Sequence, residues 1–256
     1  MPKPAELLLR KEIETRVNQF IDQVGVNGGL IDEQEYNYIR EECRKLAKVD
    51  VFNADCYRSS IGSAANKLDD YTAAVNNLKR NNHHARALLE EFKHLINHGF
   101  TSEAFKLIPK AIDARVEIGA MEMARAFVAA GAYQSAASLI LNATERREQV
   151  VVTSLFHKIK TASDALAQLG VSDGSVSAMQ NIAGEILRER NLLWLGEHPN
   201  CTILESGKTP EVLIEYFVGV TPLDAAEMNW DLAERLIDHN LAQDGVSINF
   251  LGVKAS

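Results

Sequence analysis

Gly99-Phe100-Thr101-Ser102-Glu103-Ala104 is echoed by Gly131-Ala132-Tyr133-Gln134-Ser135-Ala136 and, more loosely, by Asp69-Asp70-Tyr71-Thr72-Ala73-Ala74. The closing alanines stand 30 and 32 residues apart. Each phrase lies between two stretches with helical hydrophobic spacing, so each marks the turn of a helix–turn–helix unit. The expected pairs cover 55–68 with 70–80, 85–98 with 102–115, and 118–130 with 133–143. A small residue at Ala74, Ala104 and Ala136 lets two helices approach closely. Leu78, Ile108 and Ile140 follow one turn later and point into the core. Ala65, Leu95 and Phe127 hold the matching position in the leading helices. Helix pairs that repeat at this period build a solenoid, because no single unit can bury its own apolar face.

On the N-terminal side, residues 1–54 read as a helical hairpin. Leu8, Leu9, Ile13, Val17, Phe20, Ile21 and Val24 form an amphipathic stripe that Gly25 to Gly29 ends. Asp32 with Glu35 three residues later is a capping box for a second helix to about Lys48. The turn matches only the second half of a calcium loop. Val24, Val26 and Gly28 stand where oxygen ligands are needed, so no metal is expected there. On the C-terminal side, residues 147–198 hold two more helices (147–169 and 175–195) that close the 55–146 array. After Pro199 the pattern changes. Thr202-Ile203-Leu204 and Glu211 to Gly219 read as strands. Thr221-Pro222-Leu223-Asp224 starts a helix, and Val246 to Leu251 is a third strand. The fold class is therefore mainly α: a helical-hairpin solenoid with a small C-terminal β-β-α-β module over 199–256.

The repeats resemble the tetratricopeptide repeat family. Ile61-Gly62, Tyr71 and Ala74 fall on that family's spacing in the first copy, and Ala124, Gly131, Tyr133 and Ala136 in the third. The copies depart from it at Arg58, Leu88 and Ala120, where a large aromatic is usual, and at Phe92 and Thr101. The resemblance implies a groove on the concave side of the leading helices, where Lys, Asn and Arg clamp a partner's carboxylates. The matching positions are Ser59, Ser63 and Asn66, then Arg86, Lys93 and Asn97, then Met121 and Arg125. The partner-binding set is thus Asn66, Arg86, Lys93, Asn97, Met121 and Arg125, and it favours an acidic protein or peptide segment.

Charge agrees with a protein partner. The net charge is -8 over 256 residues, and residues 197–256 carry three basic and ten acidic side chains, net -7. An acidic chain without a basic stripe argues against direct nucleic-acid binding. The three scattered cysteines, Cys43, Cys56 and Cys201, point to a reducing, cytoplasmic setting. No apolar run approaches the ~18 residues of a membrane span, and the first residues turn acidic too soon for a signal peptide.

Catalytic look-alikes fail on context. Gly170 to Gly174 spells G-x-S-x-G, but a helix precedes it where a nucleophile elbow needs a strand. Ser206-Gly207-Lys208-Thr209 ends like a P-loop, yet Thr202 replaces the first glycine and a strand follows. His94 and His98 share a helix face without an evident third zinc ligand. No set of nucleophile, base and orienting group is visible, and no motif calls for a cofactor. The expected function is non-enzymatic protein–protein interaction: an adaptor, chaperone or regulator. The alternatives are self-assembly through edge strands of the C-terminal module, and an acidic inhibitor that mimics nucleic acid.

Overall fold

The computed structural model describes residues 4–26, 30–146, 154–194, 199–204 and 209–253. Among these the chain forms twelve α-helices and three strands. It is mainly α, with a β-β-α-β module at its C-terminal end.

Helix α1 (Pro4–Val26) and α2 (Glu33–Leu46) make the N-terminal hairpin. Helix α1 continues through Gly25, and the remainder of the glycine turn, Asn27 to Gly29, lies outside the described residues. Asp32 caps α2 by accepting from Gln34 N and Glu35 N. Glu35 turns instead toward Arg16, 3.5 Å away. Ile13, Val17, Phe20 and Val24 bury against Tyr36, Ile39, Cys43 and Leu46, and against the next helix. Leu8, expected in that stripe, is exposed.

Three hairpins follow: α3 (Val51–Ala64) with α4 (Leu68–Arg80), α5 (His84–Asn97) with α6 (Thr101–Phe105), and α8 (Ala120–Ala129) with α9 (Tyr133–Glu145). Helix α3 touches α5, and α5 touches α8, so the leading helices stack in order. Their turns are alike. Asn66, Gly99 and Gly131 sit at φ 52, 72 and 80. The residue after each donates back to Gly62 O, Leu95 O and Phe127 O, every bond at 2.8 Å. This is the Schellman closure, whose left-handed residue is normally glycine or asparagine.

Counted from these turns, the repeat spacings are 33 and 32 residues. The first copy's register therefore moves by three. Gly62, Leu95 and Phe127 are equivalent, and Tyr71 matches Ala104 and Ala136. Tight packing in the first hairpin comes from Gly62, where a Cβ would lie 2.8 Å from Tyr71 N.

The expected helix over 102–115 is two helices. α6 stops at Phe105, and α7 (Ile108–Ile118) begins one residue before Pro109. A proline ring would collide with the carbonyl four residues back, that of Phe105, and has no N–H to offer it.

Helix α10 (Ser154–Gln168) packs on α9 and continues the array. Helix α11 (Asp173–Glu189) does something else. It crosses the hairpin turns. Gly184 meets Gly99 so closely that a Cβ there would fall on the Gly99 carbonyl, and Gly131 meets the Ser177 backbone. Asp173 accepts from Gln134 N and Ser135 N at 2.8 Å each, and from Ser135 Oγ at 2.7 Å. Asn181 Oδ1 accepts from Ser102 N at 3.2 Å. One helix thus supplies the N-terminal caps of two others, satisfying amides that would otherwise lack partners.

The sheet has order β1-β2-β3: β1 (Asn200–Leu204) antiparallel to β2 (Glu211–Val218), and β2 parallel to β3 (Val246–Gly252). Helix α12 (Pro222–Asp238) makes the crossover between the parallel strands. Val212, Ile214, Tyr216, Val218, Val246, Ile248 and Phe250 face inward, in register, and join one core with α5, α8, α9, α10, α11 and α12.

Candidate functional site

Arg86 and Lys93 rise from α5 two turns apart and converge on one carboxylate oxygen. Glu122 Oε1, from the neighbouring leading helix α8, lies 3.2 Å from Arg86 Nη1 and 3.5 Å from Lys93 Nζ. Arg86 also reaches Glu90 at 2.7 Å. Glu90 is 3% exposed and accepts from Ser59 Oγ at 2.9 Å. A buried carboxylate needs this: a cation plus a hydroxyl donor offset the loss of water. Burial opposes the charge on Arg86, but Glu90, then Cys56 and Glu122, outweigh it and raise its pKa. Arg86 is therefore a permanent cation held between two acids. Lys93 is exposed, and Glu122 is half-exposed.

The other expected contact residues are placed as follows. Arg125 is exposed on α8, and Met121 is half-buried against the main core. Asn66 lies outside the leading helix, in its turn, with the left-handed backbone described above. Asn97 is engaged by the chain itself. Its carbonyl accepts from Trp194 N at 3.1 Å. With its amide turned so that Nδ2 faces the carbonyls, the side chain donates to Trp194 O and Lys93 O, each at 3.2 Å. Ser59 and Ser63, placed by resemblance on the open face, are buried between α3 and α5. Arg86 and Lys93 thus meet where α5 packs on α8, and Glu122 is the member of that cluster that sequence reading missed. The Arg86–Glu90 spacing of four was a readable signal; Glu122 was not, because it arrives from the next hairpin.

Behind this face lies a polar interior. Ser63 Oγ is 2.9 Å from His94 Nδ1, and His98 Nε2 is 3.1 Å from Ser63 O. His94 stacks on Tyr71 at 4.2 Å between ring centroids and touches the His98 ring at 4.4 Å. Burial, then His98, lowers the His94 pKa to about 4. Burial lowers His98 as well. A second network joins α2 and α4: Tyr36 OH donates to Asp70 at 2.7 Å, and Arg40 reaches the same carboxylate at 3.0 Å. Burial pushes the Cys43 and Cys56 thiols up to about 12, and Cys201 to about 11. Such thiols carry almost no thiolate near neutral pH.

The catalytic look-alikes resolve locally. Ser172 caps α11, accepting from Ser175 N at 3.1 Å, in a helix-to-helix turn. Ser206, Gly207 and Lys208 lie outside the described residues. Among the described residues no three His, Cys, Asp or Glu side chains are grouped as a metal site. A groove of about 370 Å³ runs along α9, lined by Ile112, Gln134, Ser138, Asn142, Arg146 and Asp173. No described helix is long and apolar enough to cross a membrane. No family model, curated protein or solved structure matches this chain.

Proposed function

We propose that this chain is a non-enzymatic protein-interaction module of the tetratricopeptide-like kind, and that its α5–α8 face holds an acidic segment of a partner. The observation that carries this reading is the convergence of Arg86 and Lys93 on a single, half-exposed carboxylate. Glu122 occupies the position a partner's Asp or Glu would take. An incoming acidic segment displaces Glu122 or shares its cations, with Arg125 and Met121 beside it. The stacked leading helices and the 33- and 32-residue turn spacing support the repeat assignment. The cysteines support a reducing, cytoplasmic setting.

A fluorescein-labelled Asp/Glu-rich peptide, titrated by polarisation, tests this. Glu122→Gln removes the internal competitor and tightens binding about 2–5-fold, the scale of a partly exposed ion pair. Lys93→Glu with Arg125→Glu abolishes binding while helical circular dichroism stays unchanged. Undiminished binding in the double variant overturns the proposal.

A further inference from the structure

Helix α12 has two apolar faces, and the described residues cover only one. Ala225, Met228, Leu232 and Leu236 are buried against the body. Leu223, Ala226, Trp230, Ala233 and Ile237 point away from it, with Leu223 72%, Trp230 79% and Ile237 66% exposed. These five follow the three-then-four spacing of a coiled-coil seam and fall within about 80° of arc at 100° per residue. A lone exposed leucine means nothing. A helix-long stripe centred on tryptophan is different, because rigid aromatic residues dominate helix-recognition surfaces.

The stripe is held still. Thr221 and Asp224 form a reciprocal capping box, with Pro222 in the first turn. Asn229 pairs both the N–H and the C=O of Phe250, at 2.6 and 2.9 Å, closing the β3 edge at that point. Arg235 clasps Glu189 on α11 with two bonds of 2.8 and 2.6 Å. The helix is therefore formed and oriented before anything binds, so a partner bears little ordering cost.

Charge selects the occupant. Glu227, Glu234 and Asp238 are exposed along one long edge of the stripe. Arg235, the one described Lys or Arg in the C-terminal module, is turned inward onto Glu189 and Asp231. A second copy laid antiparallel on this seam would bring Glu227 against its partner's Glu234, and like charges there are repulsive. We propose that the outer face of α12 docks an amphipathic helix of a different protein, whose apolar seam is flanked by lysine or arginine. This surface is separate from the α5–α8 face, so Lys93→Glu with Arg125→Glu leaves it intact.

Trp230 reports on its own occupancy, since the other tryptophan, Trp194, is 4% exposed and its emission is expected to be blue with or without a partner. The full chain is titrated with three synthetic helical peptides: Leu/Ala heptads flanked by Lys, the same seam flanked by Glu, and a scrambled Lys peptide of equal composition. The Lys-flanked heptad shifts Trp230 emission to the blue, saturably, and salt weakens it. Leu223→Ser with Ile237→Ser lowers its affinity at least tenfold with circular dichroism unchanged. Glu227→Lys with Glu234→Lys transfers the preference to the Glu-flanked peptide. Equal binding of the scrambled peptide overturns the proposal, as does the absence of any shift. A blue shift that grows with protein concentration alone, or one produced only by phosphatidylcholine–phosphatidylserine vesicles, also overturns it and assigns the face to a second copy or a lipid surface.

Discussion

Arg86 is fixed between Glu90 and Glu122, and this decides what its removal does. Arg86→Ala leaves Glu90 buried without its counter-charge, which costs about 3–5 kcal/mol. Urea unfolding should show that loss in full, whether or not a partner is present. Arg86 therefore serves stability first, and binding tests belong to Lys93 and Arg125. His94 gives the second residue-scale prediction. Its folded pKa of about 4 lies below the ordinary value of 6.5. Between those values the unfolded chain binds more protons than the folded one, so stability rises with pH from about 4 to 6.5 and is flat above. His98 acts in the same direction. Denaturant midpoints measured across pH 4–7.5 should show this slope, and His94→Gln should flatten it. The sequence displayed the residues of both clusters but not their burial. Ser59 and Ser63 look like surface residues until α5 is laid over them.

At the scale of elements, α11 is the least expected feature. Its start was readable from Ser172 and its buried face from Ile182, Ile186 and Leu187, but it ends at Glu189 instead of running to 195, and its path across the hairpin turns was not readable. Nothing local signals that Asp173 caps α9 or that Asn181 caps α6, because those contacts join residues 38–39 and 79 positions apart. Gly184→Ala tests the crossing. The added methyl has no room against the Gly99 backbone, and overpacking of this kind costs about 1–3 kcal/mol or more. Asp173→Ala removes three hydrogen bonds at the start of α9 and should cost about 2 kcal/mol, the upper range for a lost helix cap. Thermal unfolding of both variants checks these values. The hairpins themselves were legible because their periodicity is local. Their register slipped in the first copy because asparagine, not glycine, holds the left-handed position at Asn66. The expected helix over 102–115 ran through Pro109, whose ring marks the break between α6 and α7.

Over the whole molecule, one core runs from Leu89 to Phe250 and joins the repeats to the sheet. A smaller core unites the N-terminal hairpin with α3. The Leu192-Leu193-Trp194 segment touches both, Leu192 on the large core and Leu193 on the small one. Trp194 also packs edge-on against Tyr216 of β2, with centroids 5.2 Å apart. The sheet is therefore built onto the array rather than tethered beside it. Loss of the blue Trp194 emission should coincide with loss of helical circular dichroism in one urea transition. Two separated transitions would mean that the sheet unfolds by itself. The α-then-β order and the acidic C-terminal end were legible in composition and pattern. The shared core was not, since it depends on side chains that lie far apart in the chain. The crossing of α11 has a mechanical consequence as well. An open array of helix pairs touches only nearest neighbours, so small rotations at each joint add up and the whole bends like a spring. Here a single rod is fastened across two successive joints, by backbone contact at Gly99 and Gly131 and by the hydrogen bonds of Asp173 and Asn181. That brace removes the compliance. The curvature of the α5–α8 face is set when the chain folds, and the acidic segment proposed for it would have to match that curvature.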